Sequence, residues 1–160
     1  MNKNMHMNTS MQSNQYKKLM VMMVLSFISM YVLMYAMVNA FENVIPNINQ
    51  FYMAGLMTLP MIIIELILMG SMYTNKKINT IIIISSSILL IAFFLFIRQQ
   101  TAVSDKQFLK SMIPHHASAI LMCEKTNIQD PELKSLCQSI ISGQQEEINQ
   151  MKAKLKELEK

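Results

Sequence analysis

Tryptophan is missing from this 160-residue chain, and glycine (three), proline (four) and cysteine (two) are sparse. So few glycines and prolines exclude collagen-like and low-complexity character. Two cysteines cannot frame a disulfide-dense secreted scaffold. Charge is scarce as well, at 15% of residues, where a soluble domain averages about 25%. What the chain does have is apolar surface. Hydrophobic residues make up 52% of it, mean hydropathy is +0.27, and 18 residues are methionine. The length bounds one or two domains. A formal charge of +4 and a pI near 9.1 raise nucleic acid as a partner until the charges are placed.

Three stretches are almost free of charge: 19–41, 51–73 with Glu65 its one acid, and 78–97. About 20 apolar residues cross a hydrocarbon core of ~30 Å, so each stretch is long enough to span a bilayer. Buried core helices of a soluble protein would need polar faces that these runs lack. The first run is too long for a signal-peptide core and has no small-residue cleavage site. The expected organisation is a cytoplasmic arm (1–18), a three-helix transmembrane region (19–97) and a C-terminal domain (98–160).

Basic residues mark the cytoplasmic side of a membrane. Lys3, Lys17 and Lys18 precede the first span and Lys76 and Lys77 lie between the second and third, while 43–50 carries no basic residue. The expected layout is a multi-pass protein of the bacterial cytoplasmic (inner) membrane. Its N-terminus is inside and its C-terminal domain is periplasmic or otherwise extracytoplasmic. That domain holds nine Lys/Arg against eight Asp/Glu, so no basic stripe remains for phosphate and nucleic acid is excluded. Both cysteines then lie in an oxidising compartment.

The C-terminal domain reads as two helices, 104–126 and 131–158. Ser104 with Gln107 has the spacing of a capping box. Apolar residues follow at Phe108, Met112, Ala119, Ile120 and Met122/Cys123, and Asn127 is placed to cap the end. Pro114 predicts a kink near 111–113. No Gly or Pro separates Ile97 from Ser104, which leaves the third span free to run on into this helix. Asp130-Pro131 starts the next helix as N-cap and first residue, with Leu133, Leu136, Ile140, Ile141, Ile148, Met151 and Leu155 at helical spacing. A hairpin this small has little interior of its own. Pairing with a second copy into a four-helix bundle buries both stripes. Docking on its own membrane helices, or on another membrane protein or complex, is the alternative.

Two features carry chemistry. On the first hairpin helix, Met112 shares a face with His115 and His116 at offsets of three and four. An antiparallel turn near 128–129 brings Gly143, Gln144 and Glu147 level with the histidines. Imidazole with thioether is a donor set suited to copper. Two adjacent histidines point about 100° apart, so at most one faces the core squarely. A hydrogen-bonded core histidine and a core-filling methionine are the bland readings. In the membrane, Met20, Met23, Phe27, Met30, Met34 and Met37 form one stripe, and Met53, Met57, Met61 and Met69 another in register with Glu65. The third span has no methionine. The stripes read as a packing seam between the first two spans or as a thioether-lined face for Cu(I). An ionised acid near mid-membrane is costly, so Glu65 should face protein or water. Met5-His6-Met7 reads as a cytoplasmic ligand cluster or a plain tail.

The run Phe108-Leu109-x-x-Met112-Ile113-Pro114-His115-His116-x-x-Ala119-Ile120-x-Met122, followed by Leu136-x-x-x-Ile140-Ile141-x-x-Gln144-x-x-Glu147-Ile148-x-x-Met151-x-x-x-Leu155, resembles the bacterial "domain of unknown function 305" family. Tyr31-x-x-Met34-Tyr35-x-Met37 and Tyr52-Met53-Ala54-x-x-Met57-x-x-Pro60-Met61 resemble its membrane-anchored branch. The resemblance implies a ferritin-like helical fold and copper binding or resistance in the cell envelope. The expected copper ligands are Met112, His115 and His116, with Met122 or Cys123 and then Met151 completing the shell. Met34, Met37, Met53, Met57 and Met61 are the expected membrane donors. Cu(I) is favoured and Cu(II) is open to the site through imidazole. Cys123 and Cys137 depart from the family's usual alanines. Their spacing admits an intramolecular disulfide, an intermolecular one or free thiols. With no Glu-x-x-His pair, a di-iron centre is not supported. No nucleophile–base pair or phosphate loop is present, so the chain reads as a non-enzyme. Two functions remain: copper sequestration, delivery or resistance, and a metal-free structural or assembly module.

Overall fold

The computed structural model describes residues 2–160, with side chains described from residue 14 onward, so the Met5-His6-Met7 cluster lies outside the described side chains. The described chain is all-helical: α1 (Asn2–Leu33), α2 (Ile48–Leu68), α3 (Lys76–Gln99), α4 (Asp105–Lys125) and α5 (Pro131–Leu158), with short 3-10 turns at Met34–Met37 and Phe41–Asn43. It divides into two compact units. One comprises Met1–Tyr31 and Phe51–Thr101, and the other Val32–Gln50 and Ala102–Lys160.

Most of the three longest apolar stretches lies in the first unit. Asn14–Met37, Ile48–Leu68 and Lys76–Gln99 are long and apolar enough to cross a bilayer. On α2, Tyr52, Gly55, Leu59, Ile62 and Leu66 recur at steps of three and four and are buried. Leu19 of α1 and Tyr73 join that core, and Met23, Ile82, Leu90 and Phe93 pack against it. A Cβ built on Gly55 would fall 2.5 Å from Phe93 Cε2, so only glycine lets α2 and α3 approach here. Phe93 sits in an aromatic cluster with Tyr52 at 5.9 Å and Phe96 at 6.3 Å between ring centres.

The helix ends differ from the sequence expectation in three places. The first span does not stay α-helical to residue 41. It tightens into a 3-10 turn at Met34–Met37, and the chain beyond belongs to the other unit. The second span ends at Leu68 rather than at 73. Glu65 is therefore in its last turn and not at mid-span, and the Tyr73 hydroxyl donates to it at 3.2 Å. The third span does not continue into α4. Gln100 (φ 51°) and Ala102 (φ 59°) are left-handed, a conformation that costs non-glycine residues about 1–3 kcal/mol each and stops the helix. The Gln100 side-chain Nε2 donates to the Ile97 carbonyl at 2.7 Å, closing the end of α3.

In the second unit, Leu109, Ile113, Ala117 and Ile120 of α4 meet Ile148 and Leu155 of α5, with Ile141 and Met151 at the edge. Of the five α4 positions expected to face inward, only Ile120 is buried; Phe108 and Met122 are each 51% exposed. α4 carries two apolar stripes one residue apart, and spacing alone does not say which one meets α5. Leu133 and Leu136 of α5 are likewise exposed. Asp130 caps α5 as expected, accepting from the Glu132 and Leu133 amides. Ser104 caps α4 by accepting from the Gln107 amide. The reciprocal half of the capping box is absent, because the Gln107 side chain instead accepts from the Ile48 amide at 3.0 Å. Thr126, not Asn127, is the C-cap of α4. Helix α4 is continuous through Pro114.

The hairpin does not stand alone within its unit. Val38 and Ile45 pack against its core, Asn49 donates to Ser111 at 3.2 Å, and Lys152 pairs with Glu42 at 3.6 Å. The link between the first two spans thus covers one side of α4 and α5. Cys123 and Cys137 form an intramolecular disulfide with Cα atoms 5.3 Å apart, well inside the reach of a bridge.

Candidate metal centre

His116 is where α4 and α5 meet chemically. It lies on the buried stripe of α4, 8% exposed. Its Nδ1 is 2.9 Å from the Met112 carbonyl, one turn back, and its Nε2 is 2.7 Å from Glu147 Oε2 on α5. A carbonyl only accepts, so Nδ1 carries a proton. Nε2 faces the Glu147 carboxylate across the helix pair. Both ring nitrogens are engaged, and the imidazole is fixed as a cross-link rather than presented as a free ligand. The antiparallel level expected from the turn is the one observed, since Glu147 does reach a histidine. The Gln144 Oε1 atom, one turn before Glu147, is buried with no hydrogen-bond partner.

His115 is rotated outward and exposed, its ring centre 5.9 Å from that of His116. It lies on a second stripe of α4, Phe108, Met112, His115, Ala119 and Met122, stepping by four, three, four and three. On α5 a matching stripe runs Leu133, Leu136, Ile140, Gly143 and Glu147. Each stripe sits one residue before its helix's inward stripe, about 100° around the axis. In an antiparallel pair equal offsets turn both helices towards the same side. The hairpin therefore has a second, continuous face, open in this chain and apolar apart from His115 and Glu147. A Cβ on Gly143 would meet no heavy atom within 4 Å, so packing inside this chain does not require that glycine.

The expected ligands thus separate. Met112, half-buried, and the exposed His115 and Met122 share the open stripe. His116 faces inward. Cys123 is corrected outright: bridged to Cys137, it has no thiolate to offer. Met151 packs at the edge of the apolar core. Met34 and Met37 belong to the hairpin's unit, in the turn that packs beside α4. Met53, Met57 and Met61 belong to the membrane unit, where each is exposed; the α2 stripe is not a seam within that unit. Among the described residues no three His, Cys, Asp or Glu side chains gather around one point. Met112 and His115, one turn apart, are donors suited to a soft metal; Met122 lies about 10 Å further along the axis, so in one chain it does not share their shell.

Sequence reasoning missed the role of 38–50 as a cover, the exclusion of Cys123 and the double engagement of His116. A run of asparagines (Asn39, Asn43, Asn47, Asn49) was the available signal for the first. Asn43 donates to Asn39 at 2.8 Å and Asn47 to Gln50 at 2.9 Å, side-chain bonds that hold a loop in one shape.

Residues 95–155 match the model of a family described as Domain of unknown function (DUF305). The chain is also 41% identical, over 113 residues, to "Uncharacterized protein L153" of Acanthamoeba polyphaga mimivirus, covering 69% of this chain and 72% of that protein. That likeness is longer than the matched domain and extends into the membrane part. No solved structure matches the chain.

Proposed function

Because the chain belongs to the DUF305 family, whose matched segment contains α4 and α5, we propose that it is a membrane-anchored copper-binding protein that sequesters or delivers the metal. The observation that carries this reading is the open stripe on which Met112 and His115 lie one turn apart, with Met122 two turns further along, in an otherwise largely apolar face. A second copy laid on that face completes a four-helix bundle and brings a second set of the same donors. Bound copper would be held by thioethers as Cu(I), with His115 extending the site to Cu(II). His116 and Glu147 position the stripe by locking α4 to α5. A metal-free assembly module is the second reading, favoured by the engagement of both His116 nitrogens and by the Cys123 bridge. An enzymatic role is not proposed.

Full-length protein in detergent, loaded with copper and washed, tests the two. The wild type is expected to be dimeric and to retain stoichiometric copper by elemental analysis. A Met112→Leu, His115→Ala variant should lose most of it while remaining a dimer. Equal copper in variant and wild type would remove the open stripe as the site. A dimer that never retains copper would leave the assembly module standing.

The same proposal sets the topology, with Lys17, Lys18, Lys76 and Lys77 on the cytoplasmic side and the hairpin opposite. A reporter active only outside the cytoplasm, fused after Lys160, should give signal. Signal only from a cytoplasm-active reporter would invert the layout.

A further inference from the structure

Within the membrane unit, a cavity of about 770 Å³ opens between α1, α2 and α3. Its walls are of two kinds. Lys17, Tyr16 and Asn75 line one end, and Met20, Leu59, Ile82 and Leu89 are among the apolar residues along the rest. From Asn75 to Leu89 the wall follows α3 for about 21 Å, at 1.5 Å per residue. One leaflet of hydrocarbon is about 15 Å deep, half of ~30 Å, so a lipid tail fits along its length.

The polar end is held rigid and is positively charged. The Tyr16 hydroxyl donates to Asn79 Oδ1 at 2.6 Å, the Asn79 amide donates to the Tyr73 carbonyl at 2.7 Å, and the Tyr16 and Tyr73 rings are 5.5 Å apart. Lys17 lines the cavity, Tyr16 beside it donates to the Asn75 carbonyl at 3.3 Å, and Lys76 and Lys77 follow Asn75 at the positive N-terminal end of α3,. Among the described residues none of these three lysines forms an ion pair. Glu65, the unit's one acidic residue, is engaged by Tyr73. Deeper in, Ser86 is 5% exposed and lines the wall.

The geometry points to a binding site for one anionic phospholipid, its acyl chain in the cavity and its phosphate at Lys17 beside the start of α3. Charge complementarity selects the headgroup. A zwitterionic lipid carries its own cation to the same place and loses that attraction.

Native mass spectrometry of the full chain from detergent, with phosphatidylglycerol or phosphatidylcholine added in equal amounts, tests this. The wild type should retain one phosphatidylglycerol in clear preference. Lys17→Gln, an exposed substitution, should keep lipid binding but lose about fivefold of the preference, the worth of one basic residue near an anionic headgroup. Ser86→Leu should reduce retention of both lipids, with helical content unchanged by circular dichroism. Glycerol 3-phosphate, which has the charge without the chain, should displace nothing. Equal retention of the two lipids by wild type would overturn the proposal. So would an unchanged preference in Lys17→Gln, unchanged retention in a folded Ser86→Leu, or displacement by glycerol 3-phosphate.

Discussion

Replacing Ile148 with Ala should melt the α4–α5 hairpin at room temperature while leaving the membrane helices folded. Ile148 is fully buried, against Ile113 and Ile120, which are buried to the same degree. Truncating such a side chain costs about 2–5 kcal/mol, because the surrounding helices collapse only partly onto the space left. A core this small supplies only about 3–5 kcal/mol in all, so one substitution consumes most of it. The disulfide between Cys123 and Cys137 keeps the turn closed but does not replace the core. Circular dichroism of the full chain in detergent should show a partial loss of helix at 25 °C. Ile148→Val, costing about 0.5–1.5 kcal/mol, should lower only the midpoint of the hairpin's thermal transition. An Ala variant that melts within a few degrees of wild type would mean that the hairpin is held by something other than this core.

The second large effect is expected at Gly55→Leu. Even a Cβ at this position reaches Phe93 ring atoms at 2.5, 2.8 and 3.0 Å. Phe93 cannot turn away freely, because Phe51 at 6.1 Å and Tyr52 at 5.9 Å flank it. Overpacking of this kind costs about 1–3 kcal/mol, and inside a bilayer no hydrophobic driving force compensates when two helices are pushed apart. Thermal unfolding of the membrane unit in detergent should shift down by several degrees. A Gly55→Leu, Phe93→Ala double variant should recover part of the shift, since the two positions are in contact and their effects do not add. No recovery in the double variant would show that the strain is relieved elsewhere.

Much of this architecture was legible in residue order. Runs of 20 or more residues with at most one charge predict membrane-length helices, because a bilayer offers backbone groups no other partner. Asp130-Pro131 starts α5 where the rules of helix capping put it. The spacing of Met112, His115 and His116, with a turn near 128, placed Glu147 level with the histidines, and the helical period kept the two histidines from facing inward together.

The rest depended on contacts that no local pattern encodes. Phe108, Met112, Ala119 and Met122 repeat as regularly as Leu109, Ile113, His116 and Ile120. Periodicity names both stripes and ranks neither; the partner helix decides by burying one. Leucine at 133 and 136 satisfies the same rule and remains exposed, because both lie on the stripe that α5 turns away from its contact with α4. Glu65 looked central in a 23-residue run, but the turn after Leu68 put it at a helix end within reach of Tyr73. Gln100 and Ala102 have no glycine to announce their left-handed backbone.

Three helices long and apolar enough to cross a membrane and a capped two-helix domain follow from residue order, because apolar run length, charge placement and caps act over one or a few turns. Long-range packing selected which stripe became core, laid the 38–50 link along one side of the hairpin, bridged Cys123 to Cys137, and locked His116 between Met112 and Glu147. Each of those rests on atoms brought together from distant positions, where burial and hydrogen-bond geometry choose among partners that spacing leaves equal.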